Sequence, residues 1–597
     1  MNSKLRTIWI TLNLACTASW ASIINRATDP AGLNLTFDFI VVGGGTAGNV
    51  IANRLTEDKD SSVLVIEAGG SNEDVLNIIV PWFCIRATPD TPQDWNYTTT
   101  PQDGLGGRSV PYPRGFVLGG SSSVNSMDYT RGSKDDYARF ARVSGDDGWS
   151  WDRLIPYMRK NERFSPPIGN TTEVFNPAVH GFHGINTVSM PAFPQGTDTR
   201  VIDTAKELKE FNIDMNSGEP LGIGWVQTTI KNGSRSSSAT SYLGPQYIGR
   251  PNLHVMLNTL VTRVLQSDAG VFQTVEFAPS SGGSTRFRAT ATKEIILSAG
   301  SIGTPHILMN SGIGDSRELS TIGIASVHNL PSVGKNLTDH PIVRLSWLVN
   351  STDTFDDANR NATLAAEELM QWNATRTGLL VDSVSNQIGW LRLPDDSPVL
   401  QGVPDPSAGP LSAHFELLFE NGIVGTPPPT GHYLSMSAAV VSPSARGSVT
   451  LNSTDPFSSP VIDPNLLGAA LDVAILRTAV RTIQSFILGP AWSYYIIAPI
   501  SLNDTASDAE VDAYTQANTG SLFHPIGTAA MSAVTADYGV VNPDLKVKGL
   551  SGLRVVDASV LPFIPAAHTQ AAVYIFAERA ADFIKEEFGI TVSELQV

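Results

Sequence analysis

The chain has 597 residues, more than one hydrophobic core usually serves, so two domains are expected. Its 42% hydrophobic and 16% charged content describes an ordered globular protein and excludes a disordered one. A formal charge of −17, a pI near 5.0 and the lack of a basic stripe exclude nucleic acid as the expected partner.

Lys4 and Arg6 precede an apolar stretch from Ile8 to Trp20, with Ser19 and Ala21 flanking Trp20. This predicts a secretory signal over residues 1–21, cleaved after Ala21. The stretch is too short, and too broken by Thr and Asn, for a membrane anchor. No other run reaches the roughly 20 apolar residues of a spanning helix, so a secreted, extracellular protein without a membrane partner is expected. Cys16 lies in the signal, which leaves Cys84 without an intrachain partner. Beside Trp82 and Phe83 it reads as a small buried hydrophobe. Asn-X-Ser/Thr triplets at Asn34, Asn96, Asn170, Asn232, Asn336, Asn350, Asn361, Asn373, Asn452 and Asn503 predict N-linked glycans.

The apolar run Phe37 to Val42 reads as a buried parallel strand. It enters Gly43-Gly44-Gly45-Thr46-Ala47-Gly48 and then a helical pattern through Val50, Ile51, Ala52 and Leu55. A second buried run, Val63 to Ile66, ends at Glu67 and Ala68. In this order Gly43 serves the tight turn, Gly45 the approach of a pyrophosphate, and Gly48 the packing of helix on strand. Phosphates would sit on the helix N-terminus, and Glu67 would accept ribose hydroxyls. The motif predicts a dinucleotide site without separating FAD from NAD.

Further on, Pro113 to Asn125 holds Leu118-Gly119-Gly120-Ser121-Ser122, a close-approach loop rich in hydroxyl donors. Residues 145–165 read as helix with Trp149 and Trp151 in the core. His180 and His183 lack the neighbours of a metal site, so none is expected. A β-rich stretch through Val261 leads to Lys293–Ala299 and to a helix ending near Gly312. The chain closes with a strand to Asp557-Ala558, then His568-Thr569-Gln570, then a helix to about Phe588. Nucleotide-site elements thus occupy the start, middle and end.

These stretches resemble the FAD-dependent glucose–methanol–choline (GMC) oxidoreductases. Gly300-Ser301, Thr304-Pro305, Ile307-Leu308 and Ser311-Gly312-Ile313-Gly314 match one family signature. Gly119-Gly120-Ser121-Ser122 matches the other except for Phe116, where a basic or amide residue is usual. His524-Pro525-Ile526-Gly527-Thr528, Asn542 to Val547 and Pro565 to Gln570 extend the match. The resemblance implies an α/β fold: a discontinuous Rossmann-like FAD domain (36–110, 230–335, 520–597) and a substrate domain with an antiparallel sheet flanked by helices (111–229, 336–519). It implies non-covalent FAD, because the position where some relatives carry a tethering histidine reads Val124. FAD would be held by Gly43, Gly45, Thr46, Ala47, Gly48, Glu67 and Ala68, by Leu118, Gly119, Gly120, Ser121, Asn125 and Val261, and by Asp557, Ala558, Thr569 and Gln570.

Asp94 to Thr100, Ser412 to Glu416 and Phe523-His524-Pro525 are most similar to fungal aryl-alcohol oxidases. That likeness implies that Tyr97, Phe523 and Glu416 meet the substrate, and that Gly422 to Gly425 lacks a gating aromatic. It makes His524 the base and His568 the partner of the alkoxide-like oxygen, in a primary aromatic or allylic alcohol oxidase that yields hydrogen peroxide. A dehydrogenase passing electrons from sugars or alcohols to quinones, and a non-redox lyase of the hydroxynitrile type, stand as competing readings. A monomer is expected.

Overall fold

The computed structural model describes residues 23–24, 35–165 and 174–591; the signal, Cys16, Asn34 and Asn170 lie outside them. Thr36–Val42 forms the centre of an eight-stranded sheet. It pairs in parallel with Val63–Ile66 on one side and Phe287–Leu297 on the other, and Leu553–Val555 pairs in parallel with the latter. Residues Phe39 to Val42, Val63 to Ile66 and Ile295 to Leu297 are all buried, as strands covered on both faces must be. The register places Val42, Ile66, Leu297 and Val555 level with one another. The segments that follow them therefore emerge along one sheet edge, where open α/β sheets bind ligands.

Helices Thr46–Leu55 and Gln570–Glu587 cover one face of this sheet. Arg54 clamps Glu578 between them through Nε at 2.8 Å and Nη2 at 2.7 Å, with both side chains buried. Removing one member of such a pair strands a buried charge, a loss of about 3–5 kcal/mol. Helices Lys134–Ser144 and Trp151–Asn161, placed by sequence with the substrate half, share this core instead. Trp149 stacks on Phe576 at 4.2 Å, and Phe140 packs edge-on against the same ring.

The substrate half is built on a seven-stranded antiparallel sheet that includes Pro341–Val349, Tyr433–Val440, Phe415–Glu420 and Ser385–Leu391. Alternation along a strand decides its two faces. Val343, Leu345, Leu417 and Phe419 pack on the helix Ala470–Phe486. Ile342, Arg344, Leu418 and Glu420 turn the other way, towards the edge of the nucleotide sheet. No helix among the described residues is long and apolar enough to cross a membrane.

Candidate active site

The turn after Thr36–Val42 is shaped by steric necessity. Gly43 has φ +103°, and a Cβ there would lie 2.5 Å from the Ser298 carbonyl oxygen; one on Gly48 would lie 2.0 Å from the Gly43 oxygen. Gly45 differs, because a Cβ there would meet nothing nearer than 3.9 Å and would instead fill the cavity the turn borders. The loop at Gly119-Gly120 closes over this turn: Gly119 N–H donates to Gly44 O at 2.7 Å, and Ser238 Oγ donates to Gly45 O at 3.0 Å. Glu67 accepts from the N–H groups of Gly44 and Gly69, each at 2.8 Å. Burial raises its carboxyl to about 7, against those hydrogen bonds.

A cavity of about 690 Å³ runs from Glu67 and Ala68, past Gly45, Thr46 and Ala47, to His524 and His568. Gly43, Gly120, Ser121, Asn125, Val261, Asp557, Ala558, Thr569 and Gln570 also line it. Gly48, Leu118 and Gly119 stand behind the lining and shape the turn. The open face of Gly45 at a helix N-terminus, the carboxylate of Glu67 at the next strand end and the length of the cavity all fit FAD. Val124 and Asn125 offer no nucleophile there, and Asn125 Nδ2 is bonded to Gln570 Oε1 at 2.9 Å.

At the far end the two histidine rings face each other, with centroids 4.7 Å apart. His568 Nε2 lies 2.6 Å from Glu416 Oε1, and its Nδ1 is 3.6 Å from Asp128 Oδ2. Burial alone would lower this histidine, but Glu416 and then Asp128 outweigh it and raise the ring to about 9. His568 is therefore an imidazolium at neutral pH. Asp128, a polar residue just past the glycine–serine loop, is itself buried beside the cavity and raised to about 6 by that burial.

His524 is the opposite case. It is pushed well below 6.5, first by burial and then by its electrostatic interactions with His568, His340 and Arg114. Two histidines 4.7 Å apart thus hold opposite protonation states, one a cation and one a neutral base.

Tyr97 and Phe523 line the cavity, with Trp95 stacked on Tyr97 at 5.6 Å and Phe116 edge-on to Trp95 at 4.7 Å. Glu416, expected to touch substrate, does not reach the cavity lining: it is fully buried behind His568, and its contact is with that ring. Sequence reasoning missed Arg344 and Glu420, which line the cavity and pair at 3.4 Å. The alternation in Phe415-Glu416-Leu417-Leu418-Phe419-Glu420 carried that signal, since Glu420 shares the face of Glu416 and Leu418. It also missed His340, which contacts His524 and has no local motif to betray it. Cys84 lines the cavity with its thiol raised by burial, so it is an inert wall residue. His180 is spent on Glu162 and Asp214, and no metal-binding cluster occurs among the described residues.

Together, a dinucleotide cradle opening on a paired acid and base fits the site of a flavin oxidoreductase. The GMC oxidoreductase N-terminal profile matches residues 37–342 and the C-terminal profile residues 443–577. The chain belongs to the GMC oxidoreductase family, and its cofactor is FAD. It is 44% identical to "Dehydrogenase eriK" of Hericium erinaceus, over 92% of this chain and 94% of that one. It is 41% identical to "Pyranose dehydrogenase 3" of Leucoagaricus meleagris, over 96% of each. Among solved structures, Aspergillus oryzae formate oxidase superposes with a TM-score of 0.84 at 30% identity, covering 93% of this chain and 99% of that one. A fungal aryl-alcohol oxidase superposes with a TM-score of 0.80 at 26% identity, covering 93% and 100%.

Proposed function

We propose that the protein oxidises a carbinol of a polyhydroxylated, sugar-like alcohol to a carbonyl and passes the electrons to an organic acceptor of the quinone class. The observation that carries this reading is the pair of His524 and His568 rings 4.7 Å apart at the end of the FAD cavity, with Glu416 and Asp128 set against His568 alone. His524 takes the hydroxyl proton. His568 is held by Glu416 through Nε2 and donates its Nδ1–H to the oxygen as negative charge develops there. FAD, when bound, supplies the isoalloxazine that accepts the carbinol hydride with its electron pair.

Arg344, Glu420, Ser385 and Asp128 give the cavity wall a polar face suited to several hydroxyls, in keeping with the pyranose dehydrogenases that the chain resembles. The bracketing of His568 by two carboxylates favours an acceptor other than oxygen, because it offsets the positive charge that would stabilise superoxide. A second reading, oxidation of aromatic or allylic alcohols with release of hydrogen peroxide, is favoured by the aromatic group Trp95, Tyr97, Phe116 and Phe523. In both readings the protein is exported, N-glycosylated and monomeric.

The test is anaerobic mixing of the yellow holoenzyme with D-glucose and, separately, p-methoxybenzyl alcohol, followed by benzoquinone or air. Flavin bleaching by the sugar and reoxidation by quinone is the expected result, with His524→Ala slowing bleaching by about 10²- to 10⁴-fold. Bleaching by the aromatic alcohol alone, with peroxide in air, establishes the second reading. A flavin that stays yellow with every alcohol refutes both and leaves the lyase.

A further inference from the structure

We propose that Asp128 accepts a hydrogen bond from the hydroxyl next to the carbinol being oxidised, so that the substrate presents a vicinal diol to the site. This deepens the reading of a hydroxylated substrate and rests on it. Asp128 lines the cavity and is 7% exposed. The backbone on either side of it is bonded. Met127 O accepts from Thr229 N–H at 2.8 Å, and Tyr129 N–H donates to Gln227 O at 2.7 Å.

What this carboxylate lacks is a donor. Neither oxygen accepts a hydrogen bond from the described residues: Oδ1 is buried without a partner, and Oδ2 faces His568 Nδ1 at 3.6 Å, too far for a hydrogen bond. The charge of His568 offsets that of Asp128, but it leaves the carboxylate lone pairs without a proton to meet. Such a group is costly to bury and calls for a partner that the protein does not supply. Glu420, on the same cavity wall, is by contrast held by Arg344 at 3.4 Å and by Ser437 at 3.0 Å.

The neighbouring histidine sets where that partner stands. Nε2 of His568 is taken by Glu416 at 2.6 Å, so the reacting oxygen meets Nδ1. A hydrogen bond there puts the oxygen about 2.8 Å from Nδ1, on the ring edge that Asp128 faces. A hydroxyl on the adjacent carbon, gauche to the first, lies about a hydrogen bond's length from it. That second hydroxyl donates to Asp128 while the first engages His568. A carbinol flanked by a methylene or an aromatic carbon leaves the carboxylate unpaired, and a site built to bond a substrate hydroxyl penalises its loss.

The test compares three ring alcohols on the holoenzyme. At equal subsaturating concentration, anaerobic flavin reduction by trans-cyclohexane-1,2-diol is expected to be about 10- to 100-fold faster than by cyclohexanol or cis-cyclohexane-1,3-diol. In Asp128→Ala this preference should shrink to about threefold or less, and Asp128→Asn, which keeps a carbonyl oxygen, should fall between, both with the wild-type flavin-to-protein absorbance ratio. A role confined to the charge of His568 slows all three alcohols by one factor and leaves the preference intact, which overturns the proposal. So does a wild type that shows no preference, a comparison that needs no variant to fold. D-glucose separates the two claims. If glucose bleaches the flavin and the 1,2-diol has no advantage, the diol assignment falls alone; if no hydroxylated compound bleaches it, both fall.

Discussion

Replacing Glu416 by Gln removes the charge that holds His568 as a cation while keeping the shape of the side chain. The contact is 2.6 Å long and fully buried. Raising a histidine from 6.5 to about 9 corresponds to roughly 3 kcal/mol in favour of the imidazolium. Without Glu416, burial opposes only Asp128 at 3.6 Å, and the ring should fall below its ordinary value. At pH 7.5 the variant would then present a neutral His568 to the substrate oxygen, and flavin reduction should slow by about 10²- to 10³-fold, as when an oxyanion donor is lost. The sign for stability follows from the raised value. The stabilisation is complete below pH 6.5, the ordinary histidine value, and is lost as pH rises through about 9. The difference in melting temperature between wild type and Glu416→Gln should therefore be widest in mild acid and narrow above pH 9. Stopped-flow flavin reduction from pH 5.5 to 9.5, with matched thermal melts, measures both. An unchanged basic limb in the variant would refute the assignment of charge to His568.

Gly48→Ala should abolish soluble holoenzyme, since its Cβ would sit 2.0 Å from a backbone oxygen; Gly45→Ala, with 3.9 Å of clearance, should fold but lose FAD on gel filtration, as the flavin-to-protein absorbance ratio will show. Asn336 should carry no glycan, because Nδ2 donates to Pro562 O and Oδ1 accepts from Arg446. Glycopeptide mass spectrometry should find it bare while exposed triplets such as Asn232 and Asn373 are occupied.

The nucleotide turn was readable because its constraints are local: apolar strands covered on both faces, and glycines whose Cβ would strike the backbone. His524 and His568 were readable only as parts of longer motifs, since an isolated histidine is usually core. What the chain order hides is depth. Glu416 lies on the strand face turned to the site, yet a histidine from a segment 152 positions away stands between it and the cavity. His340 follows Asp339 in a stretch with no chemical signature, and its contact with His524 exists only through a loop 184 residues distant. Trp149 and Trp151 read as core in sequence, but nothing there says which of two cores holds them, and the helices Lys134–Ser144 and Trp151–Asn161 around them join the nucleotide core.

The clamp between Arg54 and Glu578 spans 524 positions of the chain. During synthesis the first βαβ unit leaves the ribosome with its apolar helix face bare, and the helix that covers it is made about 500 residues later. His568, Thr569 and Gln570 arrive with that helix. The nucleotide half is thus assembled from segments far apart in the chain: its early strands have partners by residue 297, but Leu553–Val555 and the covering helix come only after the rest of the substrate half is made. Fragments ending before about residue 570 should behave as aggregation-prone intermediates rather than as a smaller enzyme.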